Sequence, residues 1–440
     1  MRYHLITLGC AKNVADSEGI GVLLSQAGHR CVTAPDDADV VIVNTCGFLE
    51  PARQEATETL RELAAGKHGG QLLIAAGCMI EGYAAELQHA VPDLDGLIGT
   101  RQWTEMPSFL EELVQARAAT RWQPLVRPPD DANHVIDSVP RRAVGASAYL
   151  KIADGCSAPC AFCTIPAIKG PQRSKPRPAV LEEARQLAEQ GVQEIVLVAQ
   201  DLTAYGRDWG EADALPDLLH RLTAAVPNVP WIRLLYAYPG HASSRLIEAI
   251  SGLDQVCNYL DMPLQHASPA VLKRMRRPHK VERTLRFYEA LCRTLPDVAL
   301  RTTFIVGYPG ETEDDFQALL DFMGEVRFDK VGVFTYSREP GTPAAALPDQ
   351  LPEEVKEDRR DRAMAWQQAI SLERNQEQVG RVYQVLVEGL GDGISLGRSY
   401  RDAPEVDGFV IVEEQLPVGQ FVPVQIAKAL EYDLIGVPVG

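Results

Sequence analysis

The chain has 440 residues, enough for two or three domains that each bury a core. Apolar residues make up 46% and charged residues 23%, which excludes wholesale disorder, and no run of about 18 apolar residues suggests a membrane-spanning helix. The 43 Lys and Arg against 60 Asp and Glu give a net charge of −17, which argues against a long phosphate-tracking surface but leaves room for a local basic patch.

The short apolar run at the N-terminus has no cleavage site, so the sequence predicts a cytosolic protein. Nine cysteines in that reducing compartment, odd in number and widely spaced, point to metal ligation rather than disulfides.

From residue 1 to about 115, Leu5–Leu8, Val40–Val43 and Leu72–Ala75 read as buried strands, each followed by a helical pattern: Asp16–Ala27, Pro51–Ala65 and Gly82–Ala90. That order predicts an open parallel α/β sheet. Cys10, Cys46 and Cys78 each fall just after one of these strands. Strand C-termini in such sheets converge on one crevice, so the three thiols, each beside a glycine, are placed to hold a metal cluster. Three buried small residues are the alternative. Residues 116–145, with Pro124, Pro128, Pro129 and Pro140, read as a linker or loose hairpin.

Between 146 and 374 the alternation resumes with six apolar runs: Tyr149–Ala153, Glu194–Ala199, Trp231–Tyr236, Tyr259–Pro263, Ala299–Val306 and Val331–Tyr336. Right-handed crossovers would wind them into a parallel, incompletely closed (β/α)6 barrel with its active site at the strand C-termini. After the first run comes Cys156-Ser157-Ala158-Pro159-Cys160-Ala161-Phe162-Cys163. Three thiolates at this spacing can hold three irons of a [4Fe–4S] cube and leave the fourth iron open. No Cys or His in the next fifty or so residues completes a zinc site, which normally comes as two ligand pairs. Structural zinc and unligated thiols remain the alternatives. Gln200, Asp201, Gln265 and Arg301 fall at or near the expected rim, although Arg301 is close to a strand start and could face the opposite rim. Gly307–Thr312 reads as a turn feeding a helix, with Thr312 as N-cap and Asp315 three residues on. His266 either lines the site or packs beneath it. Cys31, Cys257 and Cys292 lie outside both cysteine patterns and read as idle or buried thiols.

Glu353–Gln378 looks like one charged amphipathic helix. Beyond it Arg381–Val387, Ile394–Gly397, Gly408–Val412 and Val422–Leu430 are short β-rich runs, so residues 375–440 suit a small β-barrel of the kind often used to hold a substrate. This stretch carries four Lys and Arg against ten Asp and Glu. That balance would repel phosphates and attract a basic protein.

The central motif on this fold, with Phe162 and Val306–Thr312, resembles the radical S-adenosylmethionine (SAM) superfamily. Together with Gly9-Cys10-Ala11-Lys12-Asn13, Asp16-Ser17-Glu18, Asn44-Thr45-Cys46-Gly47-Phe48 and Gly77-Cys78-Met79, it resembles the methylthiotransferase family over essentially the whole chain. The final module then looks like a TRAM domain. The resemblance implies two [4Fe–4S] clusters, one on Cys156, Cys160 and Cys163 and one on Cys10, Cys46 and Cys78. It also implies SAM, chelated to the open iron of the first cluster and expected to meet Phe162, Gln200, Asp201, Gln265, Arg301 and Gly307. Cys156, Cys160 and Cys163 would carry the catalytic cluster.

The family acts on an adenosine of transfer RNA or on the β-carbon of an aspartate in small-subunit ribosomal protein S-twelve. Met262–His266 and Arg301–Gly307 resemble the ribosomal-protein branch, and the acidic terminal module agrees. The implied reaction removes hydrogen from that carbon, adds sulfur presented at the second cluster, and methylates it with a second SAM. Electrons would come from a donor such as flavodoxin or ferredoxin. A transfer-RNA methylthiotransferase would need a basic terminal surface, and a non-catalytic iron–sulfur scaffold would not cleave SAM; both stay open on sequence. Deleting residues 375–440 is expected to impair substrate modification without stopping SAM cleavage.

Overall fold

The computed structural model describes residues 1–117, 124–127 and 139–439. Three units pack together. In the first, β1 (Arg2–Thr7), α1 (Ala11–Gln26), β2 (Arg30–Cys31), β3 (Val40–Thr45), α2 (Glu50–Ala65), β4 (Leu72–Gly77), α3 (Cys78–Ala90), β5 (Gly96–Gly99), α4 (Met106–Arg117) and β6 (Leu125–Arg127) build one sheet between helices. All its neighbouring strands run parallel, in the order β2-β1-β3-β4-β5-β6. The apolar run of β3 follows from burial on both faces. Val40 and Ile42 pack with Ile20, Leu24 and Phe109 of α1 and α4, while Val41 and Val43 pack with Ala56, Leu60 and Ile80 of α2 and α3.

The last two strands of this sheet escape the sequence reading. β5 is only Gly-Leu-Ile-Gly, and a Cβ at Gly96 would stand 2.9 Å from the Phe109 ring. β6 lies inside the stretch read as a linker, so that reading is corrected at Leu125–Arg127. Pro128 and Pro129 fall outside the described residues.

The second unit contains β7 (Ser147–Lys151), β8 (Ala153–Asp154), α5 (Ile165–Lys169), β9 (Arg173–Ser174), α6 (Arg177–Glu189), β10 (Glu194–Val198), α7 (Ala214–Ala225), β11 (Trp231–Leu234), α8 (Ser244–Gly252), β12 (Tyr259–Asp261), α9 (Pro269–Arg274), α10 (Val281–Thr294), β13 (Ala299–Val306), α11 (Glu313–Val326), β14 (Lys330–Thr335) and α12 (Glu353–Gln376). All six expected barrel strands are present. They form two parallel triplets, β7-β10-β11 and β12-β13-β14, bridged where Ile232 meets Val256 and where Ala237 N–H donates to the Asp261 carbonyl at 2.9 Å.

The wall stays open between β7 and β14, and α1 of the first unit packs along β7. Ala11 and Ala15 of that helix join Tyr149, Val196, Val198, Leu235, Cys257, Tyr259 and Ala299 in one buried cluster, so the lumen is filled partly by the neighbouring unit. Thr312 and Asp315 form the reciprocal capping box expected at the start of α11.

The third unit closes β15 (Val382–Leu390), β16 (Ser395–Arg398), β17 (Val410–Val412), β18 (Phe421–Ala429) and β19 (Leu434–Pro438) into a barrel in the order β15-β16-β17-β19-β18. Its loop between β16 and β17 plugs the base of the larger barrel. Arg398 pairs with Glu194 at 2.5 Å, Tyr259 donates to Asp407 at 2.7 Å, and Lys330 pairs with Asp402 at 3.0 Å. Glu194, Tyr259 and Lys330 each begin a barrel strand. Two of the module's four cations, Arg398 and Arg401, are thereby buried, leaving Arg381 and Lys428 on its outer surface. Asp407 is buried too, so it cannot belong to an exposed acidic face, whereas Glu405, Glu413, Glu414 and Glu431 are exposed. Among the described residues no helix is long and apolar enough to cross a membrane.

Candidate active site

The sheet register explains how the scattered N-terminal cysteines meet. Thr7 lies opposite Asn44, and Thr45 opposite Gly77, so the ends of β1, β3 and β4 are level. The loops that follow are laced by Asn13, whose amide donates to the carbonyls of Leu8 (2.8 Å) and Thr45 (3.1 Å), while Asn44 donates to the Asn13 carbonyl and to Ser17. The Cys78 thiol points to the Asn13 side-chain oxygen at 3.8 Å.

The backbone comes close where side chains are absent. A Cβ at Gly9 would stand 2.7 Å from Cys46 Cβ, and one at Gly47 would stand 2.8 Å from the Cys78 carbonyl. Burial works against the Cys10 thiolate, but Lys12, the N–H groups of Asn13 and Lys12, and Lys169 outweigh it and hold the thiol below its usual value. Burial instead raises Cys46, and it pushes Cys78 up to about 12.

The central cysteines sit on the loop between β8 and α5, at the mouth of the larger barrel. Ala158 N–H donates to Cys156 Sγ at 3.4 Å, and Arg277 donates to Cys160 Sγ at 3.6 Å while its guanidinium stacks 4.4 Å over Tyr238. Burial raises Cys156 and pushes Cys163 up to about 12. Phe162 packs with Ala161, Val271, Met275 and Tyr308 behind the loop.

The two cysteine loops touch. Thr164, next to Cys163, donates to the carbonyl of Phe48, two residues after Cys46, at 3.2 Å. Beside this contact lies a buried square of charge. Lys151 and Lys169 both meet Asp16 of α1 and Asp154, and Lys169 also donates to Thr100 at 2.7 Å. Burial opposes the Asp154 charge, yet the two lysines hold its carboxyl well below the usual range. Arg53 with Glu339 at 2.7 Å, and Arg101 with the carbonyls of Ala167 and Ile168, complete the junction.

A lone zinc needs its ligands within about 2.3 Å of one point. Among the described residues no group of three or more His, Cys, Asp or Glu is arranged to hold a single metal ion. The donor chemistry, two triads of soft thiol sulfurs, suits iron–sulfur groups. For SAM the fit rests on orphaned atoms: the Oε1 atoms of Gln200 and Gln265 are buried with no partner. Both lie at the barrel mouth, Gln265 held at φ +75 by its backbone bonds to β13. They are acceptors waiting for a donor.

The remaining residues expected at the rim are employed differently. Asp201 accepts from Thr203, Ala204 N–H and His241 Nδ1, bordering a cavity of about 300 Å³ with Ser157, Arg207 and Tyr238. Arg301 points down the lumen to Asp261 (2.8 Å) and Asp407 (3.3 Å), as its place near the strand start warned. Gly307 is needed because a side chain there would strike Lys356 of α12. His266 is buried, accepts from Ser268 N–H at 2.9 Å, and is pushed down to about 3 by burial, so it packs as a neutral ring. Sequence reading missed Arg277, Lys151 and Lys169. The first lies in an unremarkable Arg-Arg-Pro turn, and the others acquire meaning only when Asp16 arrives from another unit.

Residues 150–323 match the radical SAM superfamily, 2–99 an uncharacterized family designated UPF0004, and 379–439 the TRAM domain. Two solved structures share the fold: the radical SAM methyltransferase TsrM from Kitasatospora setae, with a TM-score of 0.58 and 15% identity over 90% of this chain and 77% of that one, and the cobalamin-dependent enzyme OxsB, with a TM-score of 0.53 and 10% identity over 82% and 56%. Fold and site therefore define a radical SAM enzyme.

Curated relatives narrow the class. The chain is 51% identical to the ribosomal protein uS12 methylthiotransferase RimO of Roseiflexus sp. (strain RS-1), over 99% of this chain and 97% of that one, and 50% identical to that of Chloroflexus aurantiacus, over 99% of each. The chain belongs to the RimO family of radical SAM methylthiotransferases, and with that membership come SAM and [4Fe–4S] clusters.

Proposed function

We propose that this enzyme methylthiolates the β-carbon of an aspartate in ribosomal protein uS12, the S-twelve protein of the small subunit. The observation that carries the reading is the contact between the two cysteine loops, which places both triads at one mouth. Cys156, Cys160 and Cys163 would hold the cluster that binds SAM, and Cys10, Cys46 and Cys78 the second. When bound, these groups supply the radical, the sulfur and the methyl group.

The chain's own residues orient and insulate. Arg277 donates a hydrogen bond to Cys160 Sγ, Gln200 and Gln265 offer acceptors to SAM, and α1 packs along β7 at the open side of the barrel. The outer surface of the TRAM module, left with Arg381 and Lys428 as exposed cations, favours a basic protein over transfer RNA. An external reductant such as flavodoxin or ferredoxin would feed the central site.

Mass spectrometry tests the reading directly. Purified, anaerobically reconstituted enzyme given SAM, reductant and uS12 should add a methylthio group to one aspartate. Modification of transfer RNA in its place would overturn it.

A further inference from the structure

We propose that Lys12 binds the side-chain carboxylate of the substrate aspartate; the inference rests on uS12 being the substrate. Lys12 opens α1, two residues after Cys10, and reaches out of the N-terminal unit into the barrel mouth. Its ammonium lies 3.5 Å from the centre of the Tyr236 ring. An ammonium carries three N–H donors. Among the described residues the Lys12 side chain makes no hydrogen bond and no ion pair, although its charge also acts on the Cys10 thiol and on Asp261.

Other buried lysines near the junctions are all engaged. Lys151 and Lys169 share Asp16 and Asp154, Lys175 meets Glu183 at 2.6 Å, Lys330 meets Asp402, and Lys356 meets Glu353 at 2.9 Å. The lumen carboxylate that faces Lys12, Asp261, is already committed to Arg301 and to the Tyr236 N–H at 2.9 Å. Tyr236 is itself held at φ +65, a value that bulky residues rarely adopt. This tie pins the ring against one side of the ammonium. Lys12 keeps part of its surface exposed, and binding there would replace the water its charge has lost by burial.

The chemistry selects the occupant. In an aspartate side chain the carboxylate is bonded directly to the β-carbon. A cation two residues from a sulfur-site cysteine that grips the carboxylate therefore also fixes the carbon to be modified between the two triads. A neutral amide would lose the charge-assisted bond.

The test uses reconstituted full-length enzyme and two forms of uS12, one with the target aspartate and one with asparagine there, and reads binding rather than turnover. Wild-type enzyme should bind the aspartate form roughly ten- to a hundredfold tighter. Lys12→Met should bring that ratio close to one, and Lys12→Arg should keep most of it, with iron content and SAM affinity measured on each. An aspartate preference that survives Lys12→Met overturns the proposal, and so does a wild-type enzyme with no preference. A Lys12→Met enzyme that loses SAM affinity but keeps the preference would assign Lys12 to the SAM carboxylate instead. Failure of the substrate reading shows separately, as absence of methylthiolated uS12 from the wild-type reaction.

Discussion

Cys156, Cys160 and Cys163 occupy eight residues of one loop, whereas Cys10, Cys46 and Cys78 are gathered by the register of three strands. Their surroundings differ as well. The central thiols face one cation, Arg277, while the N-terminal ones face Lys12 and Lys169 and are laced by Asn13. A loop-borne site carries its geometry in local sequence, and a sheet-borne site depends on the whole unit being folded and docked. Perturbations that loosen the junction should therefore reach the N-terminal triad first.

The hardest break is to remove each triad in turn. Alanine at Cys156, Cys160 and Cys163 should abolish SAM cleavage and take roughly half the anaerobic iron. Alanine at Cys10, Cys46 and Cys78 should take the other half and spare some SAM cleavage. Iron assays and product chromatography decide this, and unchanged iron in the second variant would reject an N-terminal cluster.

Next in size is Lys169→Met, which leaves Asp16 and Asp154 short of a buried partner at the junction. A loss of about 3–5 kcal/mol in denaturant unfolding is expected, with iron lost from the N-terminal triad before the central one. Simultaneous loss from both would erase the distinction between loop-borne and sheet-borne sites.

Acid probes the opposite end of the barrel, away from both triads. Burial opposes the Glu194 charge, but Arg398 and Arg233 hold its carboxyl at about 2, below the 4.5 of the free group. A lowered folded-state value means the stabilisation is complete above about pH 4.5 and fades as pH falls toward 2, by roughly 3 kcal/mol in all. Glu194→Gln should flatten that acid limb in thermal melts. Wild-type acid sensitivity in the variant would show that other carboxylates govern it.

The smallest effect sharpens the comparison most. Arg277→Gln removes a donor and a charge from Cys160, so the central cluster potential should fall by on the order of tens of mV while the N-terminal one stays put. Redox titration followed by electron paramagnetic resonance separates the two.

Much of this architecture is legible in sequence because burial on both faces forces long apolar runs, as in Val40–Val43, and because Cys156–Cys163 needs no tertiary context. The strands Gly96–Gly99, Leu125–Arg127 and Leu434–Pro438 are too short or too glycine-rich to announce themselves. Side-chain direction was the other gap. Arg301 reads in sequence as a rim residue and Asp407 as one more of the terminal module's ten acidic residues, yet they meet inside the barrel because the β16–β17 loop turns inward. Gly307 likewise owes its identity to Lys356, some fifty residues away.

That inward loop changes what a shortened chain would report. Cutting at residue 375 would take Arg398 from Glu194, Asp407 from Arg301 and Asp402 from Lys330, and would open the barrel base to water. Lost activity after such a cut would then measure the collapse of the catalytic unit and say little about substrate choice. The terminal module is a keystone before it is a hand, and substrate choice is better questioned by substitutions on its outer surface, at Glu413 and Glu414, which leave the keystone seated.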